Sequence, residues 1–171
     1  MKTRERNNEY AKLGTKELIA LISEEYFRSM GEGFDTVVMQ LETSGKIAPE
    51  DKALVKIQVE VKRIREMFMQ HAGKEQRFLF PLFQVNKKEK REAMSREELE
   101  SFLDEMRGEH EQLRKEFETV GMLTHHFNFE PTASPSQKLA FAQLNDLEQD
   151  FNRMIFVEEE YLFPRVWQFY K

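Results

Sequence analysis

The sequence predicts an all-α protein, an antiparallel up-down four-helix bundle that is built as a duplicated helix hairpin. Three observations support this fold. The chain has only 7 Gly and 5 Pro in 171 residues and is rich in Glu, Lys, Leu and Met, a composition that favours long helices. Four segments carry apolar residues in steps of three and four, which is the spacing of one helix face. A segment of the first half also returns in the second half, 83 positions later.

Composition excludes several classes of protein. The formal net charge of −5 argues against a nucleic-acid partner. Cysteine is absent, which excludes disulfides, iron–sulfur ligation and thiol catalysis. No apolar run is long enough for a membrane span or a signal peptide. We therefore expect a cytoplasmic protein with a polar, flexible N-terminus over residues 1–14 and a single domain over residues 15–171.

The first half of the chain predicts two helices and a basic loop over residues 86–91. The first helix runs from about Thr15 into the low 40s and ends at residues 44–46, around a glycine. The second starts at Pro49, a favoured first position, and ends at Pro81. The predicted core face of the first helix is Phe27, Met30, Phe34, Val37 and Leu41. That of the second is Leu54, Ile57, Val61, Ile64, Phe68, His71, Glu75 and Phe78.

The second half predicts two further helices. Ser95 and Glu98 form a capping box that opens the third, which ends near residues 121–126. Ser134 caps the fourth, with Pro135 at its first position, and the apolar tail 166–170 is expected to dock on the bundle. The predicted core face of the third helix is Leu99, Leu103, Met106, His110, Leu113, Phe117 and Val120. That of the fourth is Ala140, Leu144, Leu147, Phe151, Met154, Glu158 and Tyr161 or Leu162.

The repeat places polar residues on these apolar faces. The segments 71–81 and 154–164 both read Glu, two polar residues, an aromatic residue and then Leu-Phe-Pro. The shift of 83 positions pairs Glu75 with Glu158 and pairs one histidine with a methionine. Applied to the histidine of the third helix, the same shift leads to a phenylalanine of the first. The six inner positions are Phe27, His71, Glu75, His110, Met154 and Glu158.

Two His and two Glu on the core faces of one bundle predict a metal site. A His and a Glu four residues apart lie about 6 Å apart at Cβ and can reach one ion. A buried carboxylate without a partner costs several kcal/mol or takes up a proton, and a bound cation removes that cost. Imidazole and carboxylate ligands without sulfur suit Fe, Mn or Zn. The predicted ligands are His71, Glu75, His110 and Glu158.

Other polar residues are expected to lie in solvent. We interpret His125 and His126 as exposed residues that follow the third helix, although they are the spare imidazoles of the chain. Glu159 and Glu160 are interpreted as a solvated face.

The repeated Leu-Phe-Pro segment, preceded in one copy by His-x-x-x-Glu, resembles the hemerythrin-like, HHE cation-binding domains. Among these, the chain is most similar to the di-iron proteins that repair iron centres after nitrosative or oxidative stress. The resemblance covers about residues 15–166 and is carried by residues 17–26, 71–81, 109–111 and 147–164. In that family, four His and two bridging Glu hold two irons. The resemblance places these ligands at the six inner positions of this chain, and four of the six positions carry the family's residue. Phe27 and Met154 stand where the family has His, and the cysteine-containing module usual in the repair proteins has no counterpart here.

The two departures fall on the first and the fourth helix. The resemblance implies that one iron takes its terminal His ligands from these helices, and that the other iron takes them from the second and third. Methionine and phenylalanine pack favourably, by roughly 0.3–1.5 kcal/mol. Our hypothesis is a Phe27–Met154 plug at one metal position and a mononuclear site at the other. We expect one iron per chain or none, with another divalent metal as an alternative, and a small diatomic ligand, a second copy or a protein as partner.

Two alternatives remain open at the level of sequence. Protonated Glu75 and Glu158 could bond to the two histidines in a metal-free interaction protein, with Trp167, Phe169 and Tyr170 available to a partner. A mononuclear iron oxygenase would use similar ligands, but four packed faces predict no substrate pocket. We favour metal binding for oxygen, nitric oxide or iron handling over turnover of an organic substrate.

Overall fold

The computed structural model describes residues 9–84 and 94–169, so the predicted basic loop 86–91 lies outside the described residues. Four long helices confirm the predicted all-α bundle, and the described ranges contain no strand. Helix α1 comprises Thr15–Leu21, a π-helical segment Ile22–Arg28, and Ser29–Ile47. Helix α2 comprises Lys52–Lys74, a π segment Glu75–Leu79 and a 3₁₀ turn Phe80–Phe83. Helix α3 is Arg96–Leu123, and helix α4 comprises Pro135–Val157, a π segment Glu158–Leu162, Phe163–Val166 and a final 3₁₀ turn Trp167–Phe169.

The helix boundaries follow from their caps. The predicted capping box of α3 is confirmed, with Ser95 and Glu98 each accepting the other's backbone N–H. The Ser134 hydroxyl accepts the backbone N–H of Gln137 and caps α4 as predicted. The predicted start of α2 at Pro49 is wrong by three residues, because the Asp51 side chain accepts the Leu54 N–H and forms the cap.

Two other predicted helix ends are also displaced. Helix α1 continues to Ile47, because Gly45 keeps a negative φ and does not form the left-handed turn that ends many helices. Helix α2 does not stop at Pro81, which lies in the first positions of the 3₁₀ turn, where its missing N–H is not needed.

The duplication is visible in the packing of the core. Helix α1 packs against α2 and α4, and α2 packs against α3. The rings of Phe34 and Phe68, between α1 and α2, have centroids 5.6 Å apart. Their counterparts 83 positions later, Phe117 and Phe151, have centroids 5.3 Å apart between α3 and α4. The two hairpins therefore build similar halves of one core.

The π segments change which residues face the core. The prediction that Phe78 lies in the core is wrong, since its side chain is 50% exposed while Leu79 and Phe80 are buried. A π turn holds one more residue than an α turn, so the buried position after Glu75 moves on by one. In α4 the same shift buries Leu162 and leaves Tyr161 half-buried, which resolves the predicted alternative.

Both ends of the described chain contact the bundle. Residues 9–12 form a helical turn, and the Tyr10 ring lies 5.9 Å from that of Tyr161. Val166 is buried and Trp167 packs against the core with the Arg96 guanidinium over its ring, as expected for a docked tail. None of the helices in residues 9–84 and 94–169 combines the length and apolar character needed to cross a bilayer.

Candidate metal centre

The structure brings the four predicted ligands together in the middle of the bundle. His71 lies at the end of the α segment of α2, and His110 lies in α3. Glu75 and Glu158 are the first residues of the π segments of α2 and α4. All four side chains are fully buried. Each offers one ligand atom to a group in which all four atoms lie within 4.8 Å of one another.

The two imidazoles meet through their inner nitrogens. Nε2 of His71 lies 3.1 Å from Nε2 of His110. Nε2 of His110 is 3.0 Å from a carboxylate oxygen of Glu158, and Nε2 of His71 is 3.8 Å from the same oxygen. A Glu75 oxygen lies 4.0 Å from Nε2 of His71. Nε2 of His71 thus lies near both carboxylates, and Nε2 of His110 lies near Glu158.

The outer nitrogens are held by two further carboxylates. His71 donates from Nδ1 to Glu109 at 3.0 Å, and His110 donates from Nδ1 to Glu159 at 2.7 Å. The direction of donation follows because an ionised carboxylate can only accept. The bond from His110 lowers the pKa of Glu159 below its usual range. Burial opposes the charged form of Glu109, but His71 and Lys74 outweigh it and lower the pKa of that carboxyl.

With both outer nitrogens as donors, the inner nitrogens of the two imidazoles repel each other. With Nδ1–H donated outward on both rings, two neutral imidazoles would point lone pairs at each other across 3.1 Å. Only a proton or another cation between them makes this contact favourable. Burial disfavours the imidazolium, but the Glu109 and Glu158 carboxylates outweigh it and raise the pKa of His71 to about 10. The cluster therefore attracts positive charge.

The two central carboxylates lack hydrogen bonds. Neither oxygen of Glu75 nor of Glu158 has a hydrogen-bond partner. Glu158 lies 3.0 Å from Nε2 of His110, but this nitrogen carries no proton in a neutral imidazole that donates from Nδ1 to Glu159. Burial raises the pKa of Glu75 well above its usual value, and the charge of Glu158 adds to this effect. Burial also acts on Glu158, but His110 and His71 hold the pKa of this carboxyl below its usual range. Four buried oxygens without hydrogen bonds are costly unless a cation takes them up.

The residues present fit a single divalent ion. Ligand atoms about 2.0–2.2 Å from one ion lie about 3 Å apart when adjacent and about 4.3 Å apart when opposite. The separations of 3.1, 3.0, 3.8 and 4.0 Å fall in this range. Two neutral imidazoles and two carboxylates also balance a divalent charge. The chemistry of these ligands is that of iron, manganese or zinc rather than of softer metals.

Positions 27 and 154, where this chain lacks the histidines that the resemblance implies, lie in the same core. Phe27 and Met154 are both buried. The Phe27 ring stacks on Phe80, with centroids 5.9 Å apart, and meets Phe68 edge-on at 6.1 Å. Aromatic side chains therefore surround position 27, and the proposed contact of Phe27 with Met154 remains a prediction.

Sequence reasoning missed the partners of the outer nitrogens. The prediction that Glu159 lies on a solvated face is wrong, because its side chain is 28% exposed and binds His110, whereas Glu160 is exposed as predicted. Glu109 is also 28% exposed and binds both His71 and Lys74. The position of each carboxylate beside a proposed ligand in sequence, Glu109 before His110 and Glu159 after Glu158, was the available signal.

The spare histidines lie apart from the cluster. His125 and His126 are exposed, as expected, and follow the end of α3. With Phe127 they adopt positive φ angles of 49°, 58° and 62°, so the chain turns sharply there. Neither belongs to the group of converging ligand atoms.

A four-helix bundle with His and Glu side chains converging in its core is an architecture that cation-binding proteins use. Residues 25–166 match the family model described as the hemerythrin HHE cation binding domain. Since this match covers most of the 171 residues, the chain belongs to the hemerythrin HHE cation-binding family. No curated protein sequence matches the chain significantly.

Proposed function

We propose that the chain binds one non-haem metal ion, iron, through His71, His110, Glu75 and Glu158. The observation that carries this proposal is the set of four carboxylate oxygens that are buried without hydrogen bonds beside two facing Nε2 atoms. Membership of a cation-binding family supports it. When bound, iron would supply a redox-active centre that accepts more ligands than the four protein side chains provide.

The single ion follows from the distribution of ligands. The facing imidazoles come from α2 and α3, whereas the matching positions on α1 and α4 hold Phe27 and Met154. Neither phenyl nor thioether is a ligand of choice for iron beside oxygen and nitrogen donors. We propose that these side chains fill the second metal position of the family, so that the site is mononuclear.

We further propose a role in handling a small diatomic molecule, oxygen or nitric oxide, or iron itself under stress. The ligands are fully buried, and an ion held by these four side chains would have room for a small molecule rather than a bulky substrate. Reversible oxygen binding by two irons is not proposed, because the second set of His ligands is missing.

Metal content tests the proposal. The protein, purified without chelator and reconstituted with Fe²⁺ under anaerobic conditions, is expected to hold about one iron per chain by elemental analysis. His110→Ala removes a proposed ligand and should lose the iron. His125→Asn, which removes an exposed imidazole and keeps a residue that tolerates positive φ, should retain it.

Each stoichiometry has a distinct meaning. About two irons per chain would refute the mononuclear site and show that positions 27 and 154 do not exclude the second ion. No iron, even after reconstitution, would refute metal binding and favour the metal-free interaction protein, with His71 held as an imidazolium between Glu109 and Glu158.

A further inference from the structure

Two carboxylates outside the proposed ligand set decide how the imidazoles face the cluster. Glu159 accepts Nδ1–H of His110, and Glu109 accepts Nδ1–H of His71. Each bond holds the ring in one orientation and leaves the Nε2 lone pair directed inward. Metal-binding histidines commonly have such a partner, which also increases the basicity of the ligand nitrogen.

The duplication shows what stands at the matching positions of the other half. His110 stacks on Phe163 with centroids 6.0 Å apart and planes at 8°. The residues 83 positions earlier, Phe27 and Phe80, stack at 5.9 Å and 11°. The shift therefore relates side-chain positions in three dimensions as well as in sequence.

The same shift leads from Glu159 to Gln76 and from Glu109 to Tyr26. Gln76 is exposed, and the Tyr26 hydroxyl lies 3.4 Å from that of Tyr10. Neither is a carboxylate. The second metal position, at residues 27 and 154, thus lacks the two imidazoles and also both carboxylates that would orient them.

We infer that Glu109 and Glu159 are positioning residues that orient the imidazoles of the metal site, and that Gln76 and Tyr26 deprive the second metal position, at residues 27 and 154, of this support. The metal part of this inference rests on the proposed function. Its consequence is that four positions outside the ligand set, 26, 76, 109 and 159, help to fix the number of ions per chain.

Glu159→Gln tests the inference by placing at position 159 the residue that stands at the matching position 76. Glutamine is close in size to glutamate but can donate or accept, so it no longer fixes the proton of His110 on Nδ1. In ¹⁵N NMR of the metal-free protein, the wild type should show His110 protonated at Nδ1, and the variant should populate the tautomer protonated at Nε2. Iron affinity should fall about 10–100-fold.

The exposed neighbour gives a matched control. Glu160→Gln removes the same charge one residue away and should change neither the tautomer nor the affinity. Glu159→Asp, which keeps the carboxylate, should restore part of the affinity. The inference is overturned if Glu159→Gln keeps the Nδ1–H signal of His110 and binds iron as tightly as the control.

The two readouts separate the inference from the proposed function. If the wild type binds no iron, metal binding fails, but the NMR experiment still decides whether Glu159 positions His110. A shift of the tautomer in Glu159→Gln alone would support the positioning role in the metal-free core. A His110 ring that keeps its proton on Nδ1 in this variant would refute the positioning role.

Discussion

Phe27 stacks on Phe80 with nearly the geometry in which His110 stacks on Phe163 in the other half of the bundle. The relationship identifies position 27 as the structural counterpart of a proposed metal ligand, occupied by a side chain that cannot bind a metal. The phenyl ring contributes aromatic packing there, while His110 contributes an inward nitrogen. The two halves have therefore kept one scaffold and diverged in its chemistry.

Removal of a central carboxylate should stabilise the metal-free protein and abolish the site. Both oxygens of Glu75 are buried without hydrogen bonds, so Glu75→Leu replaces an unsatisfied group with an apolar one of similar volume. We expect the free energy of unfolding, measured with urea in the presence of chelator, to rise by about 1–3 kcal/mol. Iron binding should be lost in the same variant.

An exposed residue of the same helix provides the control for this variant. Glu66→Leu makes the same chemical change on the solvent side of α2, so the free energy of unfolding should change by less than about 0.5 kcal/mol. A loss of stability in Glu75→Leu, measured without metal, would show that this carboxyl has a stabilising partner in the core.

Iron should raise the melting temperature by an amount set by its affinity. At free iron 100 times the dissociation constant, binding to the native state alone adds about 2.7 kcal/mol. For a domain of this size, 1 kcal/mol corresponds to about 2–4 °C, so the melting temperature should rise by about 5–10 °C. Differential scanning calorimetry under anaerobic conditions measures the shift, and His110→Ala should show none of it.

Much of this structure could be predicted from the sequence because apolar spacing and helix caps act locally. The capping box at Ser95 and the core position of His110 depend on residues within one or two helical turns, and both are confirmed. The π segments could not be predicted in this way, since the extra residue leaves the apolar pattern ambiguous. That ambiguity is why the apolar spacing predicts a core position for Phe78, which the structure leaves half exposed.

The orienting carboxylates were missed for a different reason. Glu109 follows the pattern of an exposed helix face, and only the approach of α2 brings His71 to within 3.0 Å of it. Contacts between helices depend on how the bundle closes, which helical periodicity does not determine. The four central residues were easier to find because burial of a charged side chain is visible in one helix alone.

The close approach of α1 and α4 should be sensitive to one methyl group. A Cβ added at Gly33 would lie 2.9 Å from a methyl carbon of the buried Leu147, so Gly33→Ala must displace this side chain or the helix that carries it. We expect the free energy of unfolding to fall by about 1–2 kcal/mol despite the better helix propensity of alanine.

Gly108 in α3 provides the control for Gly33→Ala. A Cβ there meets nothing within 4 Å, and Gly108→Ala should therefore raise the free energy of unfolding by about 0.5–1 kcal/mol. Urea denaturation of the two variants measures both changes. A stabilised Gly33→Ala variant would mean that α1 and α4 are further apart than the structure shows.

The second metal position should be restorable only when ligands and support are restored together. Phe27→His with Met154→His supplies two imidazoles, but Gln76 leaves the ring at position 27 without the carboxylate that orients its counterpart His110. We expect this double variant to hold about one iron per chain and to be less stable than the wild type, because it buries two imidazoles without fixed partners.

Adding Gln76→Glu should orient the new ring and bring the iron content to about two. The double variant with Gln168→Glu, a carboxylate added at an exposed position in the final turn of α4, is the control and should remain near one. Two irons in the double variant itself would show that the ligands alone determine the number of ions, and that the residue at position 76 does not.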